Sequence, residues 1–201
     1  MQPAQDHTAI QDDDALLAAF AAGAPDAARQ LAATHLPRVY AVALRMLGNQ
    51  AEAEDVAQDA MLRLWNIAPK WEPGRAQLGT WLYRVTSNLA TDRLRSRNQS
   101  RPAKDGAMEA LEDMTPGVEQ QMMHTERDNA LHRAIDRLPA RQKLAITLRH
   151  FEELSQPETA VAMDTTIEAV ESLLARGRRA LAAMLQPDLH QNRTALKARV
   201  K

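Results

Sequence analysis

Residues 78–97, LGTWLYRVTSNLATDRLRSR, put three kinds of nucleic-acid-reading group on a single helix. At helical spacing Arg84, Asn88, Thr91 and Arg95 share one narrow face, which carries two guanidiniums, an amide and a hydroxyl. Leu78, Leu82, Val85 and Leu89 recur at the i, i+4, i+7, i+11 spacing of a buried stripe. Trp81 and Tyr83 stand near the helix start, and Arg93, Arg95, Arg97 and Arg101 follow in close succession. Phosphate oxygens take guanidiniums, base edges take amides, and unstacked bases take aromatic planes. A solvated helix that uses its arginines for solubility is the competing reading of the same pattern, and the rest of the chain decides between the two.

Such a face needs a helical frame, and the composition supplies one. The aromatic fraction is only 3%, alanine and leucine dominate the apolar content, and alternating or β-branched runs are scarce. The chain of 201 residues therefore reads as all-α, with material for one or two small domains. No run of eighteen apolar residues occurs, and the opening MQPAQDHTAIQDDD has neither a basic n-region nor an apolar h-region. The expectation is a cytoplasmic protein with no membrane insertion and no secretory signal. The absence of cysteine excludes disulfides, thiolate metal sites, cysteine nucleophiles and direct thiol sensing. The six histidines are scattered, so the carboxylates around Glu54 do not read as a metal site, and no cofactor is expected.

The net charge of −1 conceals an alternation along the chain. Residues 1–66 carry a net −5, residues 67–104 a net +6, residues 105–130 a net −6 and residues 131–201 a net +4. DNA would meet two basic patches, whereas the acidic N-terminal block must meet something else.

Breakers and caps divide the chain. Asp12–Asp14 opens a short helix with Leu16, Leu17 and Phe20, closed near Gly23. A long helical stretch follows from Ala24 to Leu47, and Pro37 is expected to kink or restart it. Gly48 suits a C′ position, and Asn49 suits an N-cap with Glu52 at the capping-box position, opening a helix to about Ile67. On that helix Val56, Ala60 and Leu64 face inward while Asp55 and Asp59 face out. Pro69, Pro73 and Gly74 form a loop carrying Lys70, Trp71 and Arg75 ahead of the arginine helix. Residues 98–128 combine an acid excess with two prolines and weak periodicity. They read as a flexible inter-domain linker with a helical turn around Met108–Leu111, unable to bury enough surface to fix its flanks together. The two halves are accordingly expected to move independently.

The second half begins near Asn129. Leu131, Ile135 and Leu138 give one amphipathic helix, stopped by Pro139, and Leu144, Leu148 and Phe151 give another. Ser155 with Glu158 forms a capping box for a short helix through Met163, Asp164–Thr166 makes a tight turn, and Thr165 with Glu168 offers a second box. The last helix buries Val170, Leu174, Gly177 and Leu181 and turns Glu168, Glu171, Ser172, Arg176 and Arg179 outward. A short helix, a three-residue turn and a longer helix with a polar face is the helix-turn-helix pattern. Any small helical hairpin shares its outline; the paired caps and the Arg176, Arg178, Arg179 cluster favour DNA binding.

Three stretches in this order resemble the extracytoplasmic-function (ECF, group IV) sigma factors of bacterial RNA polymerase. LPRVYAVALRMLGNQAEAEDVAQDAMLRLW (36–65) resembles the core-binding helices of conserved region 2. GTWLYRVTSNLATDRLRSR (79–97) resembles the promoter-melting helix that reads the −10 element, and LPARQKLAITLRHFEELSQPETAVAMDTTIEAVESLLARGRRAL (138–181) resembles region 4, which reads the −35 element. The resemblance implies two small helical domains: region 2 over 1–97, a linker over 98–128, region 4 over 129–186 and a polar basic tail over 187–201. It implies that Glu54, Asp55, Gln58, Asp59 and Arg63 dock on the polymerase, whose β′ and β subunits are the expected partners along with promoter DNA and an anti-sigma factor. It gives the −10 element to Lys70, Arg75, Trp81, Arg84, Asn88, Thr91 and Arg95, with bases flipped into protein pockets. Trp71, Trp81 and Tyr83 could supply stacking, although Trp81 and Tyr83 equally suit the core. It gives the −35 element to Thr166, Glu168, Glu171, Ser172, Arg176 and Arg179. Region 4 departs from the family pattern in four places: Glu171 and Leu173 stand where Lys and Arg are common, Asp164 where glycine is common, and Pro157 is unusual in its helix.

Other classes fit less well. A helix-turn-helix regulator acting without the polymerase would need a receiver or ligand domain, and the N-terminal half shows no α/β alternation. An enzyme would need a glycine-rich phosphate loop, a metal signature or a nucleophile elbow, and the sequence carries none of them.

Overall fold

The computed structural model describes residues 5–74, 76–100 and 130–198, and among them every regular element is helical. Helix α1 (Gln5–Ala21) starts seven residues earlier than the Asp12 opening expected from sequence. It closes at Gly23, whose φ of 91° lets Gly23 N donate to Phe20 O and Ala24 N to Ala19 O, the paired bonds of a Schellman cap. Helix α2 (Pro25–Leu47) ends on Gly48, in the left-handed region at φ 65°.

The restart expected at Pro37 does not occur: α2 runs through it. Proline removes one backbone hydrogen bond from the ladder. Here Leu31, His35, Val39 and Val42 are buried on both sides of it, so tertiary packing supports the helix across the missing bond. Helix α3 (Gln50–Ile67) opens as expected on Asn49, whose side chain accepts from Glu52 N at 3.0 Å. The Glu52 carboxylate instead lies 3.8 Å from Arg97 Nη1. A 3-10 turn (Ala68–Lys70) leads to the loop before helix α4 (Leu78–Ser100). The four helices enclose Leu17, Leu31, Val39, Ala60, Leu64, Leu78, Leu82 and Val85.

In the second half a helix, α5, covers 130–136. Pro139 N-caps helix α6 (Ala140–Ile146), which runs on as a π turn (Thr147–Phe151). Helix α7 (Gln156–Ala162) has the full reciprocal capping box of Ser155 and Glu158, with Pro157 in its first turn, where the missing N–H costs nothing. Helix α8 (Ile167–Ala198) packs closely on α6: a Cβ added at Gly177 would stand 2.7 Å from Ile146 Cδ1. The cap of α8 is Thr166, not the expected Thr165. Thr166 Oγ1 accepts from Ala169 N at 3.3 Å, while Thr165 N is already committed to Ala160 O at 3.0 Å in closing α7. Asp164 takes the left-handed conformation, φ 50°, that favours glycine at this turn; aspartate tolerates it better than most residues.

The halves do not stand apart. One apolar cluster joins Val42, Met46, Val56 and Tyr83 of the first half to Leu144, Ile146, Leu148 and Val170 of the second. Glu152 accepts from Tyr83 Oη at 2.8 Å and from Arg45 Nη1 at 3.1 Å, and the Arg45 guanidinium lies 4.4 Å over the Phe151 ring. Lys143, itself buried, reaches Asp136 at 2.7 Å and Met46 O at 3.4 Å. The expectation of independent halves rested on the linker. The contact is made by the helices themselves, through residues that periodicity alone assigns to separate cores. The expected helical turn at Met108–Leu111 lies outside the described residues.

Candidate nucleic-acid interface

Two faces of the first half match the sequence expectations. On α3, Val56, Ala60 and Leu64 are fully buried, and Glu54, Asp55, Gln58, Asp59 and Arg63 are exposed. Asp55 pairs with Arg93 of α4 at 3.5 Å, both partly exposed. Among these polar groups stands Leu62, 57% exposed, which the sequence reading passed over. Its signal was an apolar residue lying off the buried stripe, between Gln58 and Asp55 on the helical wheel.

On α4, Leu78, Leu82 and Val85 are buried and Leu89 partly so, while Arg84, Asn88 and Arg95 are exposed and Thr91 is half-buried. The amide of Asn88 is therefore presented on a rigid helix, flanked by guanidiniums one turn before and two turns after. Thr91 donates its hydroxyl proton to Ser87 O at 2.7 Å, so only its oxygen remains to accept. Arg95 lies 3.6 Å from Asp92, a contact open to solvent on both sides and weak for that reason.

The aromatic residues separate. Tyr83 is 4% exposed, and its hydroxyl is committed to Glu152; it is a core residue and not a stacking platform. Burial first, then that hydrogen bond, push its pKa above the ordinary tyrosine range and keep the phenol a donor. Trp81 is half-buried against the first-half cluster and meets Trp71 edge-on, ring centroids 5.9 Å apart. Trp71 heads the loop, where Glu72, Pro73 and Gly74 are exposed, as is Lys70 just before it. Arg75 lies outside the described residues, as does Arg101. Asp14 of α1 reaches the loop with both oxygens: Trp71 Nε1 donates to Oδ1 at 2.7 Å and Gly74 N to Oδ2 at 2.9 Å. The sequence reading took Asp14 as part of a helix opening; a contact across 57 residues leaves no periodic trace.

On α8 the expected outward set, Thr166, Glu168, Glu171, Ser172, Arg176 and Arg179, is exposed throughout, and Val170 and Leu174 are buried. Leu173 is buried too, so at this position the chain places an apolar side chain on the core side of α8. The backbone amide of Glu168 itself, then the Thr166 hydroxyl, hold the Glu168 carboxyl below its ordinary range. That carboxylate is tied to the helix start, where the positive end of the helix dipole also favours it. Glu171 has no such role and keeps an acceptor free for a donor such as cytosine N4.

The α4 face and the turn between α7 and α8 touch. Arg84 Nη2 of the α4 face lies 2.9 Å from Asp164 Oδ1 in the turn between α7 and α8, with the two side chains 46% and 70% exposed. In this arrangement Asp164 occupies the Arg84 guanidinium.

Comparison with known proteins adds the family. The model for Sigma-70 region 2 matches residues 31–100, and that for Sigma-70 region 4 matches 128–181. The ECF RNA polymerase sigma factor SigE of Mycolicibacterium smegmatis is 34% identical over 176 residues, covering 84% of this chain and 65% of that protein. SigW of Bacillus subtilis is 30% identical over 173 residues, covering 82% of this chain and 91% of that one. Among solved structures, CnrH in complex with the cytosolic domain of CnrY superposes with a TM-score of 0.64 at 26% identity, over 88% of this chain and 99% of CnrH. Two signatures met in the same order, along nearly the whole of the Bacillus protein, make this chain a member of the extracytoplasmic-function sigma factors of RNA polymerase.

Proposed function

We propose that this chain directs promoter-specific initiation by core RNA polymerase, with residues 1–97 binding the enzyme and reading −10, and residues 129–186 reading −35. Residues 98–128 link the two, and 187–201 form a polar basic tail. The observation that carries the reading is the exposed Arg84–Asn88–Arg95 face beside the Trp71 loop. Opening a promoter flips bases out of the stack at a cost of a few kcal/mol each, and stacking with edge hydrogen bonds must offset it. Asn88 has the donor and acceptor pair to read a base edge; Arg84, Arg95, Lys70 and Arg75 serve phosphates; Trp81 and Thr91 complete the pocket wall.

The polymerase-binding face is Glu54, Asp55, Gln58, Asp59 and Arg63, with Leu62 as its apolar centre. Its acidic character suits a basic helical partner on β′, with region 4 reaching β. The −35 element falls to Thr166, Glu168, Glu171, Ser172, Arg176 and Arg179, the arginines on phosphate and Glu171 on cytosine. No catalytic step and no cofactor belong to this chain, and it works in the cytoplasm; no described helix is long and apolar enough to cross a membrane. CnrH is solved with a cytosolic partner domain, and 26% identity over 88% of this chain supports control by an anti-sigma factor here as well. Such a partner would cover the Asp55 face or the Arg176–Arg179 face.

Run-off transcription with purified core enzyme tests the proposal. The chain should confer initiation at a defined promoter, and Asn88→Ala should lose discrimination at one −10 base, worth about 1–3 kcal/mol. Arg95→Ala should weaken all promoters alike and flatten the salt dependence. Initiation no more promoter-dependent with the chain than without it would overturn the proposal.

A further inference from the structure

We infer that Asp14 is a positioning residue for promoter recognition: its carboxylate fixes the Trp71–Gly74 loop in the shape that meets the −10 element. The inference rests on the −10 assignment made above. Each oxygen takes a different donor, Trp71 Nε1 at 2.7 Å and Gly74 N at 2.9 Å, so one side chain clamps both a ring and a backbone amide of the loop. Gly74 sits at φ 75°, in the left-handed region. Glycine there is the most permissive joint of the loop, and a bond to its N–H removes that freedom. Trp71 passes the constraint on by its edge contact with Trp81, three residues before Arg84.

The anchor itself is fixed. Leu17, three residues on, is fully buried, and Asp13 pairs with His35 Nε2 at 3.0 Å. Asp13 and Asp14 therefore divide the work: one seats α1 on α2, the other reaches from α1 to the loop. The acidic N-terminal block, which as a sequence feature called for an unnamed partner, finds part of that partner inside the chain. A loop held in advance loses less freedom on meeting DNA, and selects among bases more sharply than one that adapts to each.

Initiation by core polymerase with the full chain, measured over a promoter library randomised in the −10 element, tests the inference. Asp14→Ala should flatten the preference at one position roughly tenfold, near the low end of what a single base contact discriminates, with affinity for core unchanged. Asp14→Asn, which keeps the shape but turns a donor toward one of the two N–H groups, should give a smaller loss of the same kind. Trp71→Phe should reproduce the Asp14→Ala profile and add nothing to it in the double variant. His35→Ala, which loosens α1 without touching the loop, should lower the melting temperature and leave the profile intact; an equal flattening there would reduce Asp14 to a stabilising role and overturn the inference. An unchanged Asp14→Ala profile, beside a changed one for Glu72→Ala/Pro73→Ala, overturns the positioning role alone. Unchanged profiles in both overturn the −10 assignment of the loop and the inference with it.

Discussion

Removing the Glu152 carboxylate should open the molecule without unfolding it. Glu152 is 7% exposed at its side chain and joins Tyr83 and Arg45, on two helices of the first half, to the π turn of the second. In the closed form of Glu152→Ala the Tyr83 hydroxyl remains buried with its acceptor gone, at a cost of about 1–3 kcal/mol. The Arg45 contact adds less, about 0.2–1 kcal/mol, because that guanidinium is partly solvated. In the open form water satisfies both groups, so nearly the whole loss falls on the closed side. About 2 kcal/mol corresponds to a roughly 30-fold shift toward the open form. The chain has no cysteine, so single cysteines placed at exposed Asn66 and Ala182 accept a dye pair cleanly. Energy transfer should fall in Glu152→Ala while far-UV circular dichroism stays unchanged. Tyr83→Phe should move in the same direction by less, since it removes the donor and leaves no buried orphan on the phenyl side. Transfer equal to that of the parent chain refutes the clamp. A joint loss of transfer and helicity refutes it differently, by making Glu152 a determinant of the fold.

Three further outcomes follow from particular contacts. Asn49→Ala removes the cap of α3 and should cost about 1 kcal/mol, or about 2–4 °C in melting temperature, whereas Asn49→Asp should hold the parent value; calorimetry decides. Asp55→Lys with Asp59→Lys should abolish pull-down of core polymerase at little cost in stability, because the Arg93 partner is itself solvated. The third concerns His150, an exposed side chain that partial desolvation first, then the Arg149 and Arg178 charges, hold below the ordinary histidine range. The unfolded chain then binds the proton more readily, so stability should fall as pH drops below about 6.5, and His150→Gln should flatten that slope in urea titrations at pH 7.5 and 5.5.

What could be read from the sequence is what recurs at helical spacing or sits next to its partner. The stripes Val56–Ala60–Leu64, Leu78–Leu82–Val85 and Val170–Leu174 are buried as their periodicity requires. The caps at Asn49 and Ser155 formed because donor and acceptor lie three residues apart. The faces of α3, α4 and α8 are exposed as expected because burying the opposite stripe leaves them no choice. What escaped is set by distant residues. Pro37 looked like a break because its cost is local, while the packing that overrides it comes from other helices. Thr165 and Thr166 are equivalent as sequence, and the end of α7 chooses between them. Tyr83, Asp14 and Glu152 each bond a residue more than fifty positions away, and no window of the sequence contains both partners.

The four acidic residues Asp55, Asp59, Asp164 and Glu152 differ in solvation, and solvation separates what holds the molecule closed from the face proposed to read DNA. Asp55 and Asp59 are exposed, so their field acts outward on a partner. Asp164 is largely exposed, so its 2.9 Å pair with Arg84 is screened and contributes at most about 1 kcal/mol. A phosphate presents the same acceptors with more charge and can displace it at small cost. Glu152 is buried, so releasing it breaks its bonds to Tyr83 and Arg45 and exposes the apolar cluster behind them together. The resistance to opening therefore resides at Glu152 and the cluster behind it, while the Arg84 guanidinium is only loosely covered. Promoter DNA competing at Arg84 alone would leave the halves closed. Separation needs a partner that gains more in the open form, and a polymerase that holds both halves at once would be such a partner, because its binding to the second half is intramolecular once the first is held.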